Sequence, residues 1–243
     1  MNYLRKKDRT TLIALLGGLV SCILRVWLYA TQVDGKGFLV RGSLPEILCW
    51  IVTAVVLILL VFAARKLPRE VDYESTFPAF IPGALCCVAA AVGIAVSLLK
   101  SPAIMPDVLG YITRVVGWAS AASLLALAWY RFKGKQPFFL FHSVLTVYFM
   151  LYLISQYRFW SASPKTQDYL LLLMALLALM VATYHRAALA VDNGSFRVYR
   201  FFSGSALYFS CAALFSAEID AYLFYLTMAL WVLADNGWVK EQE

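Results

Sequence analysis

The chain has 243 residues, of which 62% are hydrophobic and only 14% are charged. Soluble globular domains are about 45–50% apolar and about 25% charged, so this composition excludes a protein that is surrounded by water on all sides. The apolar residues form blocks near the roughly 20 residues that a helix needs to cross a bilayer, which indicates a helical membrane protein and not a β-barrel. The formal net charge of +7 is typical of basic inner loops in such proteins, and we expect no nucleic-acid partner.

Eight apolar stretches predict an all-α, polytopic transmembrane helix bundle that forms a single domain over residues 1–243. The predicted spans are residues 10–31, 46–64, 78–99, 107–130, 138–157, 168–189, 200–217 and 219–235. Only a few residues separate the last two spans, so a bundle of seven spans with one re-entrant element remains the alternative. Eight spans are favoured because Glu218 and Asp220 are costly in the middle of a bilayer and well placed at a turn.

The predicted spans differ in how well their surfaces suit lipid. The second and sixth spans are apolar all round, which predicts that both face lipid over much of their surface. The third and fourth spans carry small residues at four-residue spacing, including Gly93 in the third and Gly117 in the fourth. Small residues at this spacing let two helices approach closely, so we expect these two spans in the interior of the bundle.

Lysine and arginine are distributed unevenly between the two sides of the predicted bundle. With the N-terminus in the cytoplasm, fourteen basic residues lie on the cytoplasmic side and five on the other, while two more lie inside spans. The cytoplasmic set comprises Arg5, Lys6, Lys7, Arg9, Arg65, Lys66, Arg69, Arg131, Lys133, Lys135, Arg186, Arg197, Arg200 and Lys240. Because basic residues are concentrated in cytoplasmic loops, the asymmetry predicts a protein of the cytoplasmic membrane with both termini cytoplasmic.

Two arginines, Arg25 and Arg114, lie inside predicted spans and at similar depth in the outer part of the membrane. A charge at that depth is costly unless it faces protein or water, and a guanidinium binds a carboxylate or phosphate at two points. We therefore predict an outward-facing polar pocket for a small, anionic solute. Its candidate ligand-binding residues are Arg25, Arg114, Glu46, Glu218, Asp220, Tyr111 and Tyr222. The alternatives are that the arginines extend to outer lipid headgroups or pair with the acidic residues of this set.

The residues that usually carry catalysis or bind metals form no pattern in this chain. The five cysteines show no C-x-x-C spacing and lie in or beside apolar runs, where cysteine is a typical small packing residue. His142 and His185 lie near the cytoplasmic ends of the fifth and sixth spans. We expect both at the membrane interface, with metal binding or proton transfer as the alternative. The sequence shows no zinc-protease, nucleophile-elbow or P-loop motif, so it predicts no cofactor and does not favour an enzyme.

Three classes of function fit these features. The leading prediction is a multi-pass membrane protein that binds or transports a small solute and is surrounded by membrane lipids. The alternative is a structural or accessory subunit without a ligand of its own, which contacts another membrane subunit or a cytoplasmic partner. A lipid-modifying membrane enzyme is the third class, and it lacks a recognisable nucleophile or metal motif in this sequence.

Overall fold

Eight long helices and one short helix make up the part of the chain that the structure describes. The structure is a computed structural model, and it describes residues 9–33, 39–40, 42–71, 73–77, 81–101, 104–135, 138–161, 169–215 and 219–237. The helices are α1 (Arg9–Thr31), α2 (Leu44–Arg65), α3 (Tyr73–Thr76), α4 (Ile81–Lys100), α5 (Val108–Phe132), α6 (Phe139–Ser161), α7 (Leu170–Leu189), α8 (Phe196–Ala212) and α9 (Ile219–Gly237). Within these ranges there is no strand, and Val33 and Leu39 form an isolated antiparallel bridge.

Six of the long helices, α1, α2, α4, α5, α6 and α7, are long and apolar enough to cross a membrane. The chain is a multi-pass helical membrane protein. The two remaining long helices, α8 and α9, are separate elements of 17 and 19 residues that pack against each other. Whether all eight cross the bilayer, and on which side the termini lie, remain predictions from the apolar stretches and the loop charges.

The helix boundaries follow local chemistry. Helix α5 begins after Asp107, whose side chain accepts a hydrogen bond of 2.7 Å from the Gly110 backbone N–H and so satisfies a donor that the first turn leaves free. Proline in the first turn of α2, at Pro45, removes an N–H that would have no helical partner. Helix α8 begins after Ser195, which has an extended backbone. This start is four residues before the predicted one, so Arg200 lies within the helix.

Six helices close a ring, and two more pack on its outside. Consecutive helices from α4 to α9 contact each other, and α9 returns to contact α4. Helices α1 and α2 form an antiparallel pair that packs mainly against α8. The ring therefore has an interior that is lined by side chains from six helices and shielded from lipid.

Close contacts at small residues show that α4 and α5 pack tightly against neighbouring helices, but with 50% and 44% of their apolar stretches buried neither is enclosed by the protein as predicted. A Cβ atom added to Gly93 on α4 would lie 2.0 Å from the Thr227 hydroxyl oxygen on α9. A Cβ added to Gly117 on α5 would lie 2.5 Å from a methyl group of Leu98 on α4. These distances are far below van der Waals contact, so only glycine allows the helices to approach this closely.

The two all-apolar helices differ in their exposure to lipid. Only 28% of an 18-residue apolar stretch of α2 is buried inside the protein, as the sequence predicts for a lipid-facing helix. For α7 the same fraction is 61%, the highest of the six apolar helices, so the prediction that it faces lipid is wrong. Helix α7 packs against both α6 and α8 because buried alanines at Ala175, Ala178 and Ala182 leave room for neighbours.

Candidate functional site

One end of the bundle contains three buried arginines, Arg131, Arg186 and Arg200. We call it the basic end, and the other the opposite end. Contacts between helix termini define it, since Arg200 at the start of α8 reaches Thr10 at the start of α1 and Asn236 at the end of α9. Each of the three arginines is at most 6% exposed. The distribution of basic residues predicts that this end is cytoplasmic. That prediction counted Arg131, Arg186 and Arg200 among the charges of the cytoplasmic side, whereas in the structure their side chains are buried inside the protein.

Arg131 forms a buried ion pair with Asp235. Its Nη1 lies 2.6 Å from the Asp235 carboxylate, and the two side chains are 6% and 7% exposed. The same Nη1 contacts the Gly83 carbonyl oxygen at 3.4 Å and the Cys87 sulfur at 3.3 Å. This pair joins α5, α9 and α4, and its two charges cancel within the ring.

Arg200 is held by neutral acceptors. Its Nη1 donates a hydrogen bond of 2.8 Å to the side-chain oxygen of Asn236, and its Nη2 donates one of 3.0 Å to the Thr10 hydroxyl. The Ser203 hydroxyl donates to the same Asn236 oxygen at 2.7 Å. Arg200 therefore connects α1, α8 and α9 at the basic end.

Arg186 differs from the other two arginines because aromatic rings cover it. Its guanidinium carbon lies 3.4 Å from the centre of the Phe77 ring and 5.2 Å from the centre of the Tyr73 ring. Its Nη1 donates a long hydrogen bond of 3.4 Å to the Tyr199 hydroxyl. Among the carboxylates whose side chains the structure describes, none lies within 4.0 Å of this guanidinium, and its Nε has no hydrogen-bond partner among the described residues. Arg186 is thus a buried cation that no described carboxylate pairs with directly.

The segment between α2 and α4 holds these rings in place. Tyr73 and Phe77 form a buried apolar cluster with Phe196, Tyr199 and Leu189. The Phe196 backbone N–H donates to the Arg69 carbonyl oxygen at 2.9 Å, which anchors the segment to the start of α8. The aromatic cluster therefore covers the guanidinium of Arg186 at the basic end.

A cavity lies inside the ring at the basic end, between α6, α7, α8 and α9. It encloses about 290 Å³ of empty space, including the space at its mouth. Apolar side chains of α7 and α9 form part of its wall, and its polar groups are the side chains of His142, Thr183, Arg186, Tyr199, Ser203 and Asp235 and the indole N–H of Trp231. Such a cavity, with apolar walls and a few convergent polar groups, is typical of sites that bind small molecules.

His142, like Arg186, lines this cavity and has nitrogen atoms without a hydrogen-bond partner among the described residues. Its side chain is fully buried on α6, and neither ring nitrogen has a hydrogen-bond partner among the described residues. The predicted position of His142 at the lipid interface is wrong because this face of α6 is directed into the ring. His185 is half-buried on α7, where its ring stacks with Phe202, and it does not line the cavity.

The structure places the two arginines of the predicted outward-facing pocket on helices that are not neighbours. Arg25 is 4% exposed on α1, and its Nη2 donates a hydrogen bond of 3.0 Å to the Tyr29 hydroxyl. Arg114 is half-buried on α5, and its Nη2 donates to the Ile104 carbonyl oxygen at 3.3 Å. Helix α1 packs against α2, α8 and α9, whereas α5 packs against α4 and α6. Tyr111, on α5, is 59% exposed.

The other predicted ligand residues lie at the opposite end or outside the described residues. The Glu46 carboxylate accepts a hydrogen bond of 2.7 Å from the Gly42 backbone N–H at the start of α2. Tyr222, on α9, is 38% exposed. Glu218 and the side chain of Asp220 lie outside the described residues. Ligand binding by this set remains a prediction.

Sequence reasoning missed the residues that the ring brings together. Asp235 lies at the end of the last predicted span, and a carboxylate inside a span is a recognised sign of a polar interior. Arg131 and Arg186 lie in the last turns of their helices. Their positions in the chain fit a loop-facing arginine as well as an inward-facing one, so the charge pattern alone does not distinguish them.

No family model, curated protein or solved structure matches this chain. Its function must therefore be argued from the geometry and chemistry of the site. The site that stands out is the cavity at the basic end, where the Nε of Arg186 and both ring nitrogens of His142 have no hydrogen-bond partner among the described residues.

Proposed function

We propose that this membrane protein binds a small solute inside the ring of α4 to α9, in the cavity at the basic end. The observation that carries the proposal is that His142 and Arg186, both buried, line one cavity with nitrogens that have no partner among the described residues. Buried polar groups are nearly always hydrogen-bonded in proteins, and leaving one unsatisfied costs about 1–3 kcal/mol. A solute bound in the cavity would supply partners for these nitrogens and for the indole N–H of Trp231.

The ring interior is filled beyond the cavity. Tyr148 and Tyr152 on α6 stack with ring centres 5.6 Å apart, and Tyr152 contacts Phe224 on α9. At a rise of 1.5 Å per residue, these tyrosines lie about 9 and 15 Å further along α6 than His142. A solute entering from the basic end would meet this aromatic layer, so transport across the membrane requires the layer to open.

The test is ligand-induced stabilisation of the purified protein in a neutral detergent. The panel is acetate, acetamide, glycine, choline, glucose and inorganic phosphate, and the readout is the midpoint of thermal unfolding. We expect at least one solute to raise the midpoint of the wild type, and we expect His142→Phe to lose this response because phenylalanine keeps the ring but provides no hydrogen bond.

The matched control is His185→Phe, which changes the same residue type on α7 outside the cavity. It should keep the response of the wild type. The proposal is wrong if no solute in the panel raises the midpoint, or if both histidine variants respond as the wild type does. Uptake of a stabilising solute into proteoliposomes then separates transport from binding alone.

The outward-facing pocket at Arg25 and Arg114 is a second candidate site. The burial of Arg25 supports it, since a buried arginine in a span often belongs to a functional site. It ranks below the cavity because a solute contacting both arginines would have to bridge helices that pack against different neighbours. Loss of a solute response in Arg25→Met and Arg114→Met, with an unchanged response in His142→Phe, would favour this site.

A further inference from the structure

We infer that the solute is a small monoanion, of the size of a short carboxylate, which binds to Arg186. This inference rests on the proposed function and adds the chemical class of the ligand. It follows from the charges that line the cavity and from the surroundings of each.

Of the charged side chains that line the cavity, Arg186 has no ion pair with a described carboxylate. Asp235 lines the cavity and forms an ion pair with Arg131, so these two charges cancel. Arg186 lines the same cavity, and no described carboxylate lies within ion-pairing distance of it. A buried charge is costly unless an opposite charge accompanies it. A single negative charge on the ligand makes the site neutral.

The geometry of Arg186 suits an anion that binds at the edge of the guanidinium. Phe77 and Tyr73 lie near the guanidinium carbon, and the stacked Phe77 ring restricts its orientation. Among the described residues its Nε has no partner, and the hydrogen bond that its Nη1 donates to the Tyr199 hydroxyl is long at 3.4 Å. Carboxylates accept two parallel hydrogen bonds from such an edge, which a single neutral acceptor does not reproduce.

The rest of the lining limits the charge and size of the ligand. His142 provides a ring N–H that is able to donate to an anion in the same cavity. Because the Asp235–Arg131 pair is neutral, a dianion such as sulfate would leave one negative charge in excess inside the cavity, and an excess buried charge is costly. The cavity holds only about 290 Å³ even when the open space at its mouth is counted, so the ligand is small.

The experiment compares acetate with acetamide, which has nearly the same shape and no charge. The wild-type protein in a low-chloride buffer is titrated with sodium acetate, with acetamide, and with sodium sulfate at matched ionic strength. The midpoint of thermal unfolding is the readout. We expect acetate alone to raise it through a saturable site, and we expect Arg186→Met to raise the apparent dissociation constant at least about tenfold.

Three variants make the result specific. Arg186→Lys keeps the charge without the two-point edge, so its affinity for acetate should lie between those of the wild type and Arg186→Met. Arg158→Met removes an exposed arginine at the opposite end and should leave acetate binding unchanged. Arg186→Met should unfold cooperatively without ligand, because an apolar side chain replaces an unbalanced buried charge.

The outcomes separate this inference from the proposed function. If acetamide stabilises the protein as well as acetate does, and His142→Phe abolishes both responses, the cavity binds a solute but the monoanion is wrong. If acetate stabilises Arg186→Met as strongly as the wild type, binding at Arg186 is wrong. If the whole panel of solutes, acetate included, has no effect on the wild type, both proposals are overturned.

Discussion

Each end of the bundle contains an ion pair between an arginine and an aspartate, and the two pairs differ in their exposure to solvent. At the opposite end, Arg158 and Asp107 form an ion pair of 2.8 Å whose side chains are 48% and 36% exposed. At the basic end, Arg131 and Asp235 form a pair of 2.6 Å whose side chains are 6% and 7% exposed. The two pairs have nearly the same distance, so the exposure of their side chains is the property that distinguishes them.

The exposure matters because water competes with the partner. An exposed pair gains about 0–1 kcal/mol since both ions are already well solvated. A buried pair is not clearly stabilising as a whole, but removing one partner leaves a charge inside the protein and costs about 3–5 kcal/mol. The Arg131–Asp235 pair is therefore expected to tolerate the loss of one charge poorly, and the Arg158–Asp107 pair to tolerate it well.

The largest effect is expected when the buried pair is broken. Arg131→Met leaves the Asp235 carboxylate buried without its cation and should lower the free energy of unfolding by about 3–5 kcal/mol. The measurement is equilibrium unfolding in mixed detergent micelles. The matched change at the opposite end, Arg158→Met, should have a much smaller effect.

A double variant sharpens this prediction. Arg131→Met combined with Asp235→Leu replaces both charges with apolar groups and should recover most of the lost stability. If the double variant is less stable than Arg131→Met, the cost does not come from the unpaired carboxylate, and the contrast between the two ends fails.

An intermediate effect is expected for the neutral contacts of the basic end. Asn236→Ala removes the oxygen that accepts hydrogen bonds from both Arg200 and Ser203. Removing this shared acceptor from two buried donors should cost about 1–3 kcal/mol of unfolding free energy. Asn193→Ala, at an exposed turn, is the control and should be close to the wild type. Equal stability of the two variants would show that Asn236 does not connect α8 and α9 energetically.

The smallest effect is expected at Asp107, and it depends on pH. The Gly110 backbone N–H, followed by Arg158, holds the pKa of the Asp107 carboxyl below its ordinary value of 3.8. A lowered pKa in the folded protein means that the charged carboxylate stabilises it at pH values above 3.8, and that this contribution is lost as the pH falls further. Asp107→Asn keeps the capping oxygen and removes the charge. Its stability should lie slightly below that of the wild type at neutral pH and match it in acid, and a difference that grows in acid would contradict this.

Part of the fold could be predicted because lipid limits the available structures. In a bilayer every backbone N–H and C=O must be hydrogen-bonded within the protein, so long apolar stretches form helices. The helices α1, α2 and α4 to α7 fall on the predicted spans for this reason. The close contacts at Gly93 and Gly117 were also predictable, because a residue without a side chain has few roles in a helix other than close packing.

The candidate site could not be predicted, because it depends on how each helix is rotated about its axis. Arg186 and His142 lie near helix ends, where a long side chain is able to reach water or to turn inward. The rotation is set by packing against neighbouring helices, and the sequence of one helix does not reveal these neighbours. The prediction that α7 faces lipid was wrong for the same reason, since apolar residues suit lipid and a helix neighbour equally well.

The sequence by itself determined that this is a helical membrane protein, where its apolar helices lie and which loops are basic. These properties depend on hydrophobic length and charge, which are properties of short segments. Only the tertiary structure decided that six helices close a ring, that Arg131 meets Asp235, and that Arg186 and His142 line one cavity. Those contacts join residues far apart in the chain, and they exist only when the helices have packed.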